Sequence, residues 1–173
     1  MRMRPFDEVV AEHGAVVLRV CRAMLPVAEA DDAWSETFLS AMRAYPDLRP
    51  DSNVRGWLTT IAHRKAIDQI RGRNRRPWPV DPLPIDGVPQ GKGEAGADER
   101  ALAALDRAGV VNELQAALDG LAPKQRGAVV YHYLAELPYA EVGELLGTSE
   151  AAARRSAADG IARLRTTMRG TPR

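Results

Sequence analysis

A stretch near the end of the sequence carries the side chains best suited to reading nucleic-acid bases. A short helical segment, Tyr139 to Leu146, is followed by Gly147, which is placed to close it, and by Ser149, which is placed to cap a longer helix. Two helices joined by a tight, glycine-containing turn match a helix-turn-helix. In that motif the second helix enters the DNA major groove by its N-terminal end, so base-reading side chains are expected in its first two turns.

The residue types in those two turns fit this chemistry. Arginine can bond guanine at two acceptors, glutamate can accept from cytosine, and a serine at the helix start can hold a phosphate. The alternative is an amphipathic helix pair on which Arg155, Asp159 and Arg163 form surface ion pairs, but the turn favours DNA reading. The candidate duplex-contacting residues are Ser149, Glu150, Arg154, Arg155 and Ser156.

A second candidate surface for nucleic acid lies in the first half of the chain. The net charge is only +1, yet residues 55–76 hold seven basic residues against Asp68 alone. Such a helical face can track a phosphate backbone through counterion release, although charge runs also occur as solvated surface. Trp57 could stack on an unpaired base, but its spacing favours the core. The basic residues are Arg55, Arg64, Lys65, Arg71, Arg73, Arg75 and Arg76.

Three helices are expected to position this basic face. Apolar residues recur every three or four positions from Phe6 to Met24, and a proline two residues later ends that helix. A second helix is expected to begin near Asp31 and Asp32, whose charges suit a helix N-terminus, and to close at Pro46. A third follows the loop 47–53. Its apolar side is Leu58, Ile61, Ala62, Ala66 and Ile70.

Residues 77–98 are rich in proline and glycine, so neither helix nor strand can propagate there. This segment is longer than connections inside compact domains, which indicates a linker between two helical modules. In the second module one helix is expected to end near Gly120, and Pro123 suits the first turn of the next. The apolar residues of these two helices are Val110, Val111, Leu114, Ala117, Leu118, Leu121, Val129, Val130, Tyr133 and Leu134. The expected fold is all-α, with two small helical domains joined by a flexible linker.

Several classes of function are excluded by composition and spacing. No signal-peptide core follows the basic start and no stretch approaches the ~20 apolar residues of a membrane span, so a cytoplasmic protein without membrane insertion is expected. Cys21 is the only cysteine, and its helical spacing favours burial over redox sensing. The three histidines have no zinc-ligand spacing. Since no nucleophile–base set or phosphate-binding glycine loop appears, we expect no catalytic site, metal or cofactor.

Ordered motifs along the chain resemble one protein family. Residues 6–13 (FDEVVAEH), 31–39 (DDAWSETFL) and 55–71 (RGWLTTIAHRKAIDQIR) are similar to the first conserved domain of the extracytoplasmic-function (ECF) group of sigma-70 factors. Residues 121–126 (LAPKQR) and the helix-turn-helix resemble the terminal domain of that group. The resemblance implies an all-α transcription initiation factor that is not an enzyme, with core RNA polymerase and promoter DNA as partners. It also makes an anti-sigma factor a candidate partner.

The resemblance implies roles for individual positions. Asp32, Ser35, Glu36 and Leu39 match the residues that bind the clamp helices of the polymerase largest subunit. The loop 47–54 matches the one that captures a base flipped from the minus-10 element, and the linker matches a segment near the polymerase active centre. The residues expected to contact the minus-10 element are Asn53, Arg55, His63, Arg64, Asp68, Arg71 and Arg75. The terminal helix is expected to read the minus-35 element through the candidates named above.

The sequence departs from the family pattern at several of these positions. Ser35 stands where the family commonly has Gln, and Arg64 where Asn is frequent. In the recognition helix, Ser156 and Asp159 replace two basic positions. We therefore expect a weaker or differently specified minus-35 contact, borne mostly by Arg154 and Arg155.

The expected function is that of an alternative sigma factor that directs promoter recognition. The expected domains are residues 1–76, for core binding and the minus-10 element, and 101–173, for the minus-35 element, with the linker at 77–100 between them. Two alternatives remain: a helix-turn-helix regulator that binds DNA without polymerase, and a protein-interaction module that has lost DNA reading. The second is suggested by the alanine-rich recognition helix.

Overall fold

The computed structural model describes residues 3–75 and 109–170, without the side chains of residues 74 and 75. Within these residues every regular element is helical, which confirms the expected all-α class. The expected linker, the domain limits at 76 and 101, and Arg76 lie outside the described residues.

The first module is built from three helices: α1 (Phe6–Met24), α2 (Val27–Ala44) and α3 (Val54–Arg75), with a 3-10 turn at Tyr45–Asp47 after α2. The expected limits of α1 are confirmed. The expected start of α2 near Asp31 is wrong, because the helix begins at Val27 directly after the extended Pro26. Val27 is exposed, but Ala30 is fully buried, so α2 already packs into the core before the acidic pair that the expectation placed at its N-terminus.

The core of the first module joins α1, α2 and α3. Trp34 packs its ring on Phe38, with centroids 4.8 Å apart, and donates from Nε1 to the Gly14 carbonyl at 2.9 Å. Trp57 is half-buried against Tyr45, as its expected core role requires. Cys21 is 1% exposed, and burial raises the pKa of its thiol to about 11, so the thiol is a packing group as expected.

The second module contains residues 109–119 (α4), α5 (Pro123–Val129), α6 (Tyr139–Leu146) and α7 (Glu150–Arg169). Pro123 occupies the first turn of α5, as expected. The apolar stripe expected on α4 is only half right. Ala117, Leu118 and Leu121 are buried, whereas Val110, Val111 and Leu114 are exposed.

A single π-helical turn, Val130–Leu134, follows α5. The Ala135 amide bonds the Val130 carbonyl five residues back, at 3.2 Å. Because this turn is wider than an α-helical one, it rotates the side chains out of the 3.6-residue period. Tyr131 becomes fully buried, and Tyr133, expected on the apolar side, is 53% exposed.

The two modules are in contact. Arg126 of α5 donates from Nε to the Ala23 carbonyl at 2.7 Å, near the end of α1 where helix carbonyls lack partners within the helix. Asp119 lies 2.8 Å from the same guanidinium. None of the helices described combines the length and apolar character that a bilayer crossing requires.

Candidate nucleic-acid interface

The turn between α6 and α7 has the geometry of a helix-turn-helix. Gly147 ends α6 in the left-handed region, with φ +63°, which glycine adopts without steric cost. The Thr148 amide donates to the Gly143 carbonyl at 2.8 Å, and the Ser149 hydroxyl accepts from the Ala152 amide at 3.1 Å. The roles expected for Gly147 and Ser149 are confirmed, so the turn fixes where α7 begins.

Two neighbouring arginines at the start of α7 differ in their side-chain contacts. Arg154 is 2.9 Å from the Glu150 carboxylate, and its guanidinium lies 5.2 Å from the centre of the Tyr139 ring, within cation–π range. Arg155 is exposed and, among the described residues, forms no ion pair. The pairing of Arg155, Asp159 and Arg163 considered as an alternative is therefore not formed. Ser149 and Glu150 are exposed and Ser156 is half-buried.

A cleft of about 840 Å³ runs between the two modules. Most of the residues expected to contact the minus-10 element lie along it on α3 and the loop before α3. Arg64, Asp68 and Arg71 are exposed there. The cleft is lined by Asn53, Gly56, Trp57, Thr60, His63, Arg64, Ile67, Asp68 and Arg71 from the first module, and by Leu137, Glu141, Glu144 and Leu145 from the second. The side chain of Arg75 is outside the described part of the chain.

Asn53 and Arg55, at the start of α3, bond to carboxylates of the second module. The Asn53 side-chain oxygen accepts from the Gly56 amide at 3.1 Å, which caps the helix, and its amide nitrogen lies 3.3 Å from both oxygens of Glu141. Arg55 forms an ion pair with Glu136. The structure thus brings two of the expected minus-10 residues together with acidic partners that the sequence analysis did not name.

His63 bonds to the buried tyrosine of the π-helical turn. Tyr131 Oη lies 2.5 Å from His63 Nδ1, and the two rings meet edge to face at 5.2 Å. Burial lowers the pKa of His63, with Arg64 and Arg71 acting in the same direction. Burial also raises the pKa of Tyr131. The pair is therefore a neutral imidazole and a neutral phenol, in which the hydroxyl can donate to the ring nitrogen.

The residues expected to bind core polymerase share an exposed face of α2. Asp32 and Ser35 are exposed, and the Glu36 carboxylate lies 3.4 Å from the Lys65 ammonium. Leu39 and its neighbour Met42 are each 51% exposed. An apolar pair flanked by acidic side chains is suited to docking a protein surface.

Both modules match a described family. Residues 9–76 match Sigma-70 region 2, and residues 112–164 match Sigma-70, region 4. The chain belongs to the sigma-70 family. Its relatives place this sigma factor in the ECF group, which confirms the resemblance found in the sequence.

One relative is the ECF RNA polymerase sigma factor SigE of Mycolicibacterium smegmatis, which is 32% identical over 146 residues. That match covers 84% of this sigma factor and 54% of the relative. The chain also spans 40% of SigJ of Mycobacterium tuberculosis and 61% of CnrH of Cupriavidus metallidurans.

Two solved structures share the fold of this sigma factor. The crystal structure of Mycobacterium tuberculosis SigJ is 31% identical with a TM-score of 0.55, over 90% of this chain and 53% of that one. The structure of CnrH in complex with the cytosolic domain of CnrY has a TM-score of 0.68 at 23% identity, over 96% of this chain and 89% of that one.

Sequence reasoning missed the residues of the second module that bond to the expected minus-10 residues. Tyr131, Glu136 and Glu141 bond residues 68, 81 and 88 positions away, beyond the reach of any local pattern. One signal was available. The acidic residues 136, 141 and 144 recur in a short stretch and complement the basic run of 55–76.

Proposed function

We propose that this sigma factor binds core RNA polymerase in the cytoplasm and gives it promoter recognition during transcription initiation. The observation that carries the proposal is the match of one chain to both region 2 and region 4, in that order. The protein acts stoichiometrically, and the phosphodiester chemistry belongs to the polymerase. An anti-sigma factor is a further proposed partner, because the relative CnrH has been solved with the cytosolic domain of CnrY.

In this proposal α7 reads the minus-35 duplex. Arg154 and Arg155 lie in its first two turns, where a recognition helix contacts base edges. Ser149 and the first amides of α7 are placed to hold a backbone phosphate.

The start of α3 and the cleft beside it take the minus-10 strand. In the cleft, Asn53 and His63 supply hydrogen-bonding groups and Arg64 and Arg71 supply positive charge. Arg55, in the first turn of α3, supplies a further guanidinium. Extracting a base from the duplex costs a few kcal/mol, so polymerase binding must supply part of the free energy.

Run-off transcription over a genomic fragment library, with purified core polymerase, tests the proposal and identifies promoters. We expect defined transcripts only when this protein is added. Gel shifts with and without core test the regulator alternative. Tight operator binding by the protein alone, together with no transcripts, would support that alternative.

The α2 face gives a first prediction. Asp32→Ala with Glu36→Ala is expected to weaken core binding about tenfold at low salt, chiefly by slowing association, because rim charges steer encounter. The fold should survive, since the exposed pair of Glu36 with Lys65 contributes little to stability. Anisotropy titration with labelled core measures this. Asp7→Ala with Glu8→Ala, which removes two exposed carboxylates from α1, is the matched control. Equal affinities for all three proteins would remove this face from the proposal.

The basic face of α3 gives a second prediction. Arg71→Ala with Arg75→Ala is expected to reduce the slope of log affinity against log salt by up to about 2. Each phosphate contact that is lost means that fewer counterions are released when DNA binds. Binding of the holoenzyme to its strongest run-off promoter is measured between low and moderate salt. Arg19→Ala with Arg43→Ala removes the same charge from exposed positions of α1 and α2. If both pairs give the wild-type slope, Arg71 and Arg75 are ordinary surface residues.

A further inference from the structure

Two aromatic rings of the second module adjoin the start of the recognition helix. His132, in the π-helical turn, and Tyr139, the first residue of α6, stack with their ring centroids 3.9 Å apart and their planes 15° from parallel. We call this pair the aromatic stack. The Arg154 guanidinium of α7 lies over the same Tyr139 ring, 5.2 Å from its centroid. The aromatic stack therefore joins three helical elements at a residue that is expected to read bases.

We propose that the aromatic stack positions Arg154 for base reading, so that His132 and Tyr139 determine specificity at the minus-35 element by acting through that arginine. The inference rests on the proposed function, which assigns the reading of the minus-35 duplex to α7. The orientation of the Arg154 side chain is tested separately below, on the free protein.

The imidazole of the aromatic stack is held in one orientation by the backbone. His132 Nδ1 lies 2.8 Å from the Leu137 carbonyl oxygen, in the loop before α6. Since a carbonyl oxygen only accepts, Nδ1 carries the proton and donates it. This hydrogen bond fixes both the tautomer and the plane of the ring. The half-buried His132 therefore cannot turn away from Tyr139 without losing a hydrogen bond.

The chain itself also restricts Tyr139. This residue begins α6 and follows Pro138, whose ring fixes one backbone dihedral angle just before the helix. Burial raises the pKa of Tyr139, and a hydrogen bond with the exposed Tyr133 acts in the same direction. Tyr133 also meets the His132 ring edge to face at 4.9 Å. The phenol is therefore neutral, and its ring face keeps the electron density that attracts a guanidinium.

The other restraint on Arg154 is too weak to orient it alone. Its ion pair with Glu150 joins two side chains of the same helix, which are 63% and 54% exposed. Exposed pairs of this kind contribute little to stability and are screened by salt. Phosphates of an approaching duplex also repel the Glu150 carboxylate. The contact with Tyr139 depends less on salt, because the ring carries no net charge.

An arginine that is oriented in advance discriminates bases better than a mobile one. Bidentate bonding to guanine requires two guanidinium donors to meet two acceptors on one base edge. A side chain that is already held loses less conformational freedom when it binds. Arg155 provides the comparison within the same helix turn, because it is exposed and forms no ion pair in the part of the chain that the structure describes.

Side-chain NMR of the free protein tests the positioning without DNA. The Nε–Hε group of an arginine gives a signal whose relaxation reports side-chain order. We expect Arg154 to be more ordered than Arg155 in the parent, with its proton resonance shifted by the Tyr139 ring. Tyr139→Leu should remove both features, and Tyr139→Phe, which keeps the ring, should retain them. An Arg154 side chain as mobile in the parent as that of Arg155 would overturn the inference.

Randomised minus-35 libraries, transcribed with core polymerase, test the effect on specificity. Tyr139→Leu is expected to lower base discrimination about fivefold at the position that Arg154→Ala also relaxes. Tyr139→Phe should keep the parent preference. His132→Ala, which leaves Tyr139 without its partner, should lower discrimination at that position about twofold. His132→Phe keeps a stacked ring and should restore most of the preference.

A double-mutant cycle separates positioning from packing. If Tyr139 acts through Arg154, then Tyr139→Leu should cause no further loss of discrimination once Arg154 is replaced with alanine. If Tyr139 only supports the packing of α7, its loss should relax every position that the helix reads, and the two effects should add. Additive effects, or a uniform loss across the element, would assign the aromatic stack to the fold alone and contradict the proposal.

Leu146→Ala is the matched control for the loss of apolar packing on α6. The Leu146 side chain rests on α5 at Gly127, where an added Cβ would lie 2.7 Å from Leu146 Cδ2. This variant should have a lower thermal midpoint than the parent and the same base preference. Transcription is compared well below the midpoints of all variants, so that only folded protein is measured. Equal relaxation by Leu146→Ala and Tyr139→Leu would show that packing, and not the ring face, governs specificity.

The two measurements distinguish failure of this inference from failure of the proposed function. If Tyr139 orders Arg154 but the parent shows no minus-35 preference, the positioning stands and the minus-35 role of α7 fails. If Arg154→Ala relaxes the preference and Tyr139→Leu does not, the base-reading role stands and this inference alone fails.

Discussion

Replacing Arg154 and Arg155 together with alanine is expected to lower run-off transcription by at least about 30-fold at promoters that depend on a minus-35 element. A bidentate contact to a base contributes about 1–3 kcal/mol of discrimination, and about 1.4 kcal/mol is a tenfold change in affinity. The family pattern would place further basic residues on this helix, but here Ser156 and Asp159 occupy those positions. The two arginines are therefore expected to bear most of the minus-35 contact.

Replacing each arginine singly is expected to affect promoter binding differently. Arg154 is held by Glu150 and by the ring of Tyr139, so its guanidinium is oriented before DNA arrives. Its loss should relax base preference at one position. Arg155 has no such restraint, and its loss should weaken binding to all sequences and flatten the salt dependence. Randomised minus-35 libraries transcribed by each single variant distinguish the two outcomes.

The control is Arg163→Ala with Arg165→Ala. It removes two positive charges from exposed positions of the same helix, about 14 Å further along its axis. This protein should retain most of its activity. Equal loss of transcription in both double variants would show that net charge alone causes the effect. No loss in either variant would favour the protein-interaction alternative raised by the alanine-rich helix.

Elements whose limits depend on local chemistry were predictable from the sequence. Apolar periodicity gave α1 as Phe6–Met24, and the glycine and serine of the turn gave the end of α6 and the start of α7. At each of these points a backbone requirement selects the residue type. A left-handed residue favours glycine, and free helix amides favour a serine oxygen.

Errors arose where the helical period changes or an apolar residue stays exposed. From Val129 onward a 3.6-residue period points Tyr133 inward, but the π-helical turn inserts extra rotation and buries Tyr131 instead. On α4, Val110 and Val111 have the spacing of a core stripe yet remain exposed. Periodicity reports that a face is apolar and does not report what covers it.

The residues of the candidate site were predictable where they depend on local chemistry and not where they depend on tertiary contacts. Residues that act from one helix, such as Arg154 and Arg155, could be named because the motif fixes their position in the chain. The partners of Arg55 and His63 could not, since they come from the other module. Their identity depends on how two helical units meet, which is a tertiary property with no local signature.

The tight turn of the helix-turn-helix should be highly sensitive to one methyl group. A Cβ at Gly143 would lie 2.8 Å from the Thr148 carbonyl oxygen and 3.1 Å from the Ser149 carbonyl carbon. Both are backbone atoms, so no side-chain rotation can relieve the overlap. The same stretch holds the Gly143 to Thr148 hydrogen bond and the Ser149 cap of α7, so relief must displace the recognition helix or break those bonds.

Gly143→Ala is therefore expected to destabilise the second module by about 2–3 kcal/mol, as overpacking of a core does. Its thermal midpoint should fall by roughly 8 °C or more. Promoter binding should weaken further than stability alone requires, because α7 is moved relative to the rest of the module. Calorimetry resolves the midpoint, and run-off transcription well below it measures the residual activity of folded protein.

Gly72→Ala is the matched substitution, since a Cβ there meets no atom within 4 Å. It lies inside α3, where alanine is favoured over glycine by about 0.5–1 kcal/mol, so the first module should become slightly more stable. Opposite shifts for the same chemical change would show that the backbone contact at Gly143, and not helix propensity, decides the outcome. If Gly143→Ala has the same thermal midpoint as the parent, the turn can accommodate a methyl group. The turn would then not fix the position of α7 for base reading.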